Sequence, residues 1–89
     1  MAARRQVPLR REIGARLRYL RVKAGITSQE KLGELAGIHR TYVGRLERGD
    51  SGVTVDMLAA ILASLSISLA EFFRTFTEPT QPRTPRRRG

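Results

Sequence analysis

The residues with the most specific chemistry are two arginines five positions apart, with a threonine beside the first. Arg40, Thr41 and Arg45 occupy spacings i, i+1 and i+5, which places them near one side of a helix. A guanidinium donates two parallel hydrogen bonds, a geometry that fits guanine O6 and N7 or a phosphate. Thr41 offers a methyl and a hydroxyl beside them. The competing interpretation is an ordinary solvated charged face. Catalytic chemistry has few candidates. The chain has no cysteine and one histidine, His39. It shows no metal-ligand cluster and no glycine-rich phosphate loop, so no catalytic residue, metal or cofactor is expected. His39 without a histidine or cysteine partner fits a capping or phosphate-adjacent residue better than a metal ligand.

Charge points toward the same class of partner. The 89 residues carry 17 Lys+Arg against 8 Asp+Glu, a formal net of +9. Residues 1–11 contribute +4 and residues 77–89 contribute +3, leaving +2 for everything between. Basic ends on a nearly balanced middle favour polyanions, of which nucleic acid is the commonest in a cell. No apolar run is long enough for a signal peptide or a membrane span, so a cytoplasmic protein with no membrane partner is expected. Nothing suggests a small-molecule ligand.

Five helices are predicted to position these side chains, with no strand and one core, an all-α class. The first eight residues are expected to be a flexible basic arm. Ile13, Leu17, Leu20 and Ala24 then recur on one helix face, and Gly25 stops it. Thr27 and Glu30 form a capping-box pattern for a second helix, with Ser28 as a rival cap. Leu32 and Leu35 are expected inward, and Gly37 ends the helix. A third helix runs from about Arg40 to Glu47, with Tyr42, Val43 and Leu46 on its apolar side and Arg40, Thr41, Gly44, Arg45 and Arg48 outward. Gly49 to Gly52 is a turn. Thr54 caps a fourth helix to about Leu65, and Ser68 caps a fifth from Leu69 to about Thr75. Residues 9–76 thus form the domain. Residues 77–89, rich in proline and arginine, are expected to be a disordered tail. The fourth helix is apolar almost all round and must be buried on more than one face. Its second face, Ile61 and Leu65 with Leu69, Phe72 and Phe73 of the fifth helix, is a candidate homodimer seam.

Helices two and three are joined by only a few residues around Gly37. A steep crossing follows, which needs a small residue at closest approach (Gly33) and buried positions at Leu32, Ile38, Val43 and Leu46. The run Ser28-Gln29-Glu30-Lys31-Leu32-Gly33-Glu34-Leu35-Ala36-Gly37-Ile38-His39-Arg40-Thr41-Tyr42-Val43-Gly44-Arg45-Leu46-Glu47-Arg48-Gly49 resembles the Cro/CI-type, XRE-like helix-turn-helix family. The similarity reaches back over Arg16-Leu17-Arg18 and Arg21 and forward from Thr54-Val55 to Glu71-Phe72-Phe73. The departures are one extra residue between Gly25 and Gln29, Gly33 for alanine, His39 for a serine or threonine cap, and Val53 for proline.

The resemblance implies a compact five-helix bundle of the lambda-repressor type that binds double-stranded DNA as a homodimer on a two-fold operator. It assigns base contacts to Arg40, Thr41 and Arg45, and phosphate contacts to Gln29, Arg21, His39 and Arg48. It also implies an inward ion pair from Glu47 to Arg21 that raises Arg21 toward the phosphates. Small regulators of this kind include phage-type repressors and restriction–modification controllers, in bacterial cytoplasm and on the nucleoid when bound. The alternative is a DNA-binding antitoxin or a protein-interaction module that sequesters a partner protein.

Overall fold

Apolar periodicity, four side-chain caps and glycine stops divide the chain into five α-helices: α1 (Ala2–Lys23), α2 (Gln29–Ala36), α3 (Arg40–Arg48), α4 (Val55–Ser64) and α5 (Leu69–Arg74). This computed structural model describes the backbone of residues 2–74 and 76 and the side chains of residues 9–74 and 76, and no strand occurs among them. The expected tail, 77–89, and Thr75 lie outside the described residues.

Each short helix begins on a side chain that accepts an otherwise unpaired first-turn N–H. Lys31 N–H donates to Ser28 Oγ at 3.0 Å, Thr41 N–H to His39 Nδ1 at 3.0 Å, Met57 N–H to Thr54 Oγ1 at 3.0 Å and Glu71 N–H to Ser68 Oγ at 3.0 Å. Ser28, not Thr27, therefore caps α2. The helix starts at Gln29, which makes Lys31 its third residue and leaves the Thr27–Glu30 box without a frame. The start of α1 also differs from expectation. Its helical backbone begins at Ala2, through the stretch read as an arm, because Ala2, Ala3, Arg4, Arg5 and Gln6 are all good helix formers.

All five helices contribute to one core: Leu17 of α1, Leu32 of α2, Val43 and Leu46 of α3, Leu58, Ile61 and Leu62 of α4, Leu65 just beyond it, and Phe72 of α5. Ile38 packs against it from the turn. Complete burial of a large aliphatic side chain stabilises by about 1.5–3 kcal/mol, so this set is the main source of stability. It also corrects the expected dimer seam. Ile61, Leu65 and Phe72 are 1%, 8% and 1% exposed within a single chain. They close the core of their own molecule, because α5 folds back onto α4. Of the five, only Leu69, half-buried, and Phe73, 45% exposed, still show apolar surface. Leu35, expected inward, is exposed on α2.

The α1 and α3 backbones meet closely at Gly14. A Cβ on Gly14 would collide with the backbone oxygens of Leu46 and Glu47. Gly14 thus lets α1 lie directly on the C-terminal end of α3 and sets the height at which α3 stands.

Candidate nucleic-acid interface

The α2–turn–α3 unit is set by two glycines with different jobs. Gly37 takes φ 75°, a left-handed conformation that only glycine adopts without cost. Its turn returns Ile38 N–H to Gly33 O at 2.9 Å. Gly33 is needed for space, since a Cβ there would stand 2.5 Å from Ile38 O. The departure from alanine therefore follows from how tightly this turn is drawn over α2. The expected structural set falls where the motif requires it: Leu32, Val43 and Leu46 are buried in the core, and Ile38 is half-buried.

One face of α3 stays open. Arg40, Thr41, Arg45 and Arg48 are all exposed, and three of the four are arginines, so this face is basic. Arg40 lies 3.7 Å from Glu30 and Arg48 3.0 Å from Asp50, both pairs more than half exposed and open to exchange for another anion. Arg45 has no acidic partner among the described residues. His39 is exposed at the start of the helix, its Nδ1 already engaged with Thr41 N–H.

Behind that face lies a buried polar cluster. Arg21 Nε donates to Glu47 Oε2 at 2.7 Å and Arg21 Nη2 to Glu47 Oε1 at 3.2 Å. Arg21 Nη1 donates to Ile26 O at 2.9 Å. Gln29 Nε2 completes the set with a bond to Glu47 Oε1 at 2.9 Å. The expected Glu47–Arg21 pair is present, but its consequence for Arg21 is the reverse of expectation. Arg21 is 5% exposed, and its guanidinium is turned onto Glu47 and the chain at Ile26. It locks α1, α2 and α3 together and presents no charge to a phosphate.

Gly44 needs a matching correction. Expected to face outward on the groove side, it is buried beneath α2: a Cβ there would lie 3.0 Å from Gln29 Oε1 and 3.2 Å from Arg48 Nη1. Glycine at this position makes room for the Gln29 side chain to cross α3 and reach Glu47. The Gln29 side chain therefore serves the cluster. Its backbone N–H, in the first turn before the bond from Leu32 N–H to Ser28 O, remains at a helix N-terminus suited to an anion.

Three α1 residues were missed in the sequence. Gly14 makes the close approach, and Arg11 and Arg18 stand three before and four after it, on the same helix face. Both are exposed. Arg11 packs its Cα against Gly49 at the end of α3, and Arg18 lines a shallow hollow with Glu47 and Val22. The signal available was the spacing of 11, 14 and 18, which reads as surface until α3 is placed beside it. Among the described residues no group of His, Asp and Glu side chains is clustered to hold a metal ion, and no helix is long and apolar enough to cross a membrane.

A helix-turn-helix family model, HTH_3, matches residues 17–72, well over half of the chain. The chain belongs to this helix-turn-helix family. The resemblance carried by Ser28 to Gly49 therefore holds. The chain is 43% identical over 42 residues to control protein C.SmaI of Serratia marcescens, across 47% of this chain and 50% of that protein. It is 35% identical over 54 residues to control protein C.BamHI of Bacillus amyloliquefaciens, across 61% of this chain and 67% of that one. The aligned stretch is thus half the length of C.SmaI. Among solved structures, the restriction-modification controller protein C.AhdI of Aeromonas hydrophila superposes with a TM-score of 0.68 at 39% identity, covering 72% of this chain and 96% of that one. The clp gene regulator ClgR of Corynebacterium glutamicum superposes with a TM-score of 0.69 at 32% identity, covering 74% and 83%.

Proposed function

We propose that this helix-turn-helix protein is a cytoplasmic bacterial regulator of the controller type, which reads a two-fold operator as a homodimer. The observation that carries the reading is the open face of α3: Arg40, Thr41 and Arg45 exposed together on a helix whose opposite side is fixed in the core. In this reading α3 enters the major groove, Arg45 and Arg40 pair with guanine edges and Thr41 meets a thymine methyl or a phosphate. The Gln29 N–H, His39 and Arg48 hold the flanking phosphates. Arg11 and Arg18 take the place on α1 that Arg21 does not fill. Two recognition helices about 34 Å apart would match one turn of duplex DNA. Leu69 and Phe73 are the part of the expected seam that a second copy can still reach. The likeness to three controller proteins supports a restriction–modification operon as the regulated unit.

Selection of genomic fragments by the purified protein at about 150 mM salt tests the reading, because non-specific phosphate binding is partly suppressed there. Enrichment of an inverted-repeat motif is the expected result. Recovery of fragments with no common motif, by a protein that is folded, would remove the sequence-specific role.

A further inference from the structure

His39 is the only histidine in the chain, and its hydrogen bond fixes more than the start of α3. Thr41 N–H is a backbone donor and can do nothing but donate. The atom it reaches at 3.0 Å, His39 Nδ1, must therefore hold a lone pair. The ring is then neutral, with its proton on Nε2. Because His39 is exposed next to Arg40 and Thr41, Nε2–H is a directed, uncharged donor on the same end of the recognition helix.

We propose that His39 works as a neutral imidazole, with Nδ1 capping α3 and Nε2–H donating to the DNA, so that protonating this ring weakens DNA binding. The proposal rests on the DNA-reading role of α3 and sets a direction for its pH dependence. An imidazolium that merely attracted phosphate would bind more tightly in acid. Here the added proton falls on Nδ1 and sets N–H against N–H at 3.0 Å from Thr41. The ring must swing away, which removes the cap and the aim of Nε2–H together. Charged neighbours do not reverse this. Glu30 and Glu34 of α2 and Arg40 of α3 line the hollow beside His39. Glu30 faces Arg40 at 3.7 Å and Glu34 faces Lys31 at 3.8 Å, all four side chains more than half exposed, so either carboxylate attracts an imidazolium only weakly. The new charge is itself at the surface, where salt screens it.

Two measurements test this on the full chain. Imidazole nitrogen NMR, free of ambiguity with a single histidine, is expected to show the Nε2-protonated tautomer at about pH 8 in the protein alone. A ring protonated on Nδ1 would overturn the proposal whatever the protein does with DNA. Affinity for the selected DNA is then measured at about pH 8 and about pH 5.5, for the wild type and for His39→Ser, which caps a helix but neither titrates nor reaches outward. The wild type is expected to bind about three- to ten-fold more weakly at the lower pH. His39→Ser should be folded, weaker than the wild type at about pH 8, and nearly flat between the two pH values. Tighter wild-type binding in acid, or the same slope in both proteins, would overturn it. Failure to select any DNA would count against the regulator reading instead, and the NMR result would still decide the tautomer.

Discussion

Two arginines on neighbouring helices show how far packing, not residue type, decides what a side chain does. Arg21 is sealed between α1 and α3, with its guanidinium bonded to Glu47 and to Ile26 O. Arg45, on the other side of α3, is exposed and has no acidic partner among the described residues. The first is a structural tie that a ligand cannot reach. The second is a donor fork left open to solvent. The buried pair rigidifies the helix that carries the exposed one, so the two regions are connected mechanically while their energetics differ. Removing a buried partner leaves an uncompensated charge, whereas removing an exposed side chain costs the fold almost nothing.

The sharpest way to break this comparison is Glu47→Ala. Arg21 and Gln29 would lose their shared acceptor inside the protein. A loss of about 3–5 kcal/mol in urea or thermal unfolding is expected. A loss below about 1 kcal/mol would mean that Arg21 escapes to solvent and that the cluster is no tie.

Gly14→Ala probes the same wall from α1. The added Cβ meets two backbone oxygens of α3, which cannot rotate away. The expected cost is about 1–3 kcal/mol, despite alanine's better helix propensity. Unchanged or increased stability would show that α1 can slide on α3.

Arg45→Ala addresses the open side. Unfolding should be unchanged, while discrimination between the selected operator and random DNA should fall by about 1–3 kcal/mol. Equal weakening on both DNAs would make Arg45 a phosphate contact and not a reader of bases.

The smallest effect separates two neighbouring caps. Ser28→Ala is expected to lower stability by about 1 kcal/mol, and Thr27→Ala by a few tenths at most. The opposite ranking would place the start of α2 one residue earlier than the structure does.

Much of this is legible in the sequence. The existence and type of all five helices followed from apolar spacing and from cap and stop residues, which act within four or five positions along the chain. Thr54, Ser68, Gly37 and Gly49 stand where they were expected. The helix-turn-helix was carried by the steric demands at Gly33 and Gly37 and by buried Leu32, Val43 and Leu46. Neighbouring alternatives were harder to separate. Thr27 and Ser28 both had capping chemistry, and only the position of the first helical turn chose between them.

Local pattern therefore sufficed for helices, turns and the motif, because hydrogen bonds within a helix and side-chain alternation around it depend on nearby residues. It did not suffice for which surface each residue faces. Arg21 turned inward because α1 crosses α3 at Gly14. Gly44 became buried because Gln29 arrives from another helix. Ile61, Leu65 and Phe72 filled their own core because α5 folds back on α4. An apolar stripe demands a partner without naming it, and an arginine carries the same charge whether covered or open. Contacts between residues far apart in the chain assigned those partners, and with them separated the side chains that hold the fold from the side chains left exposed.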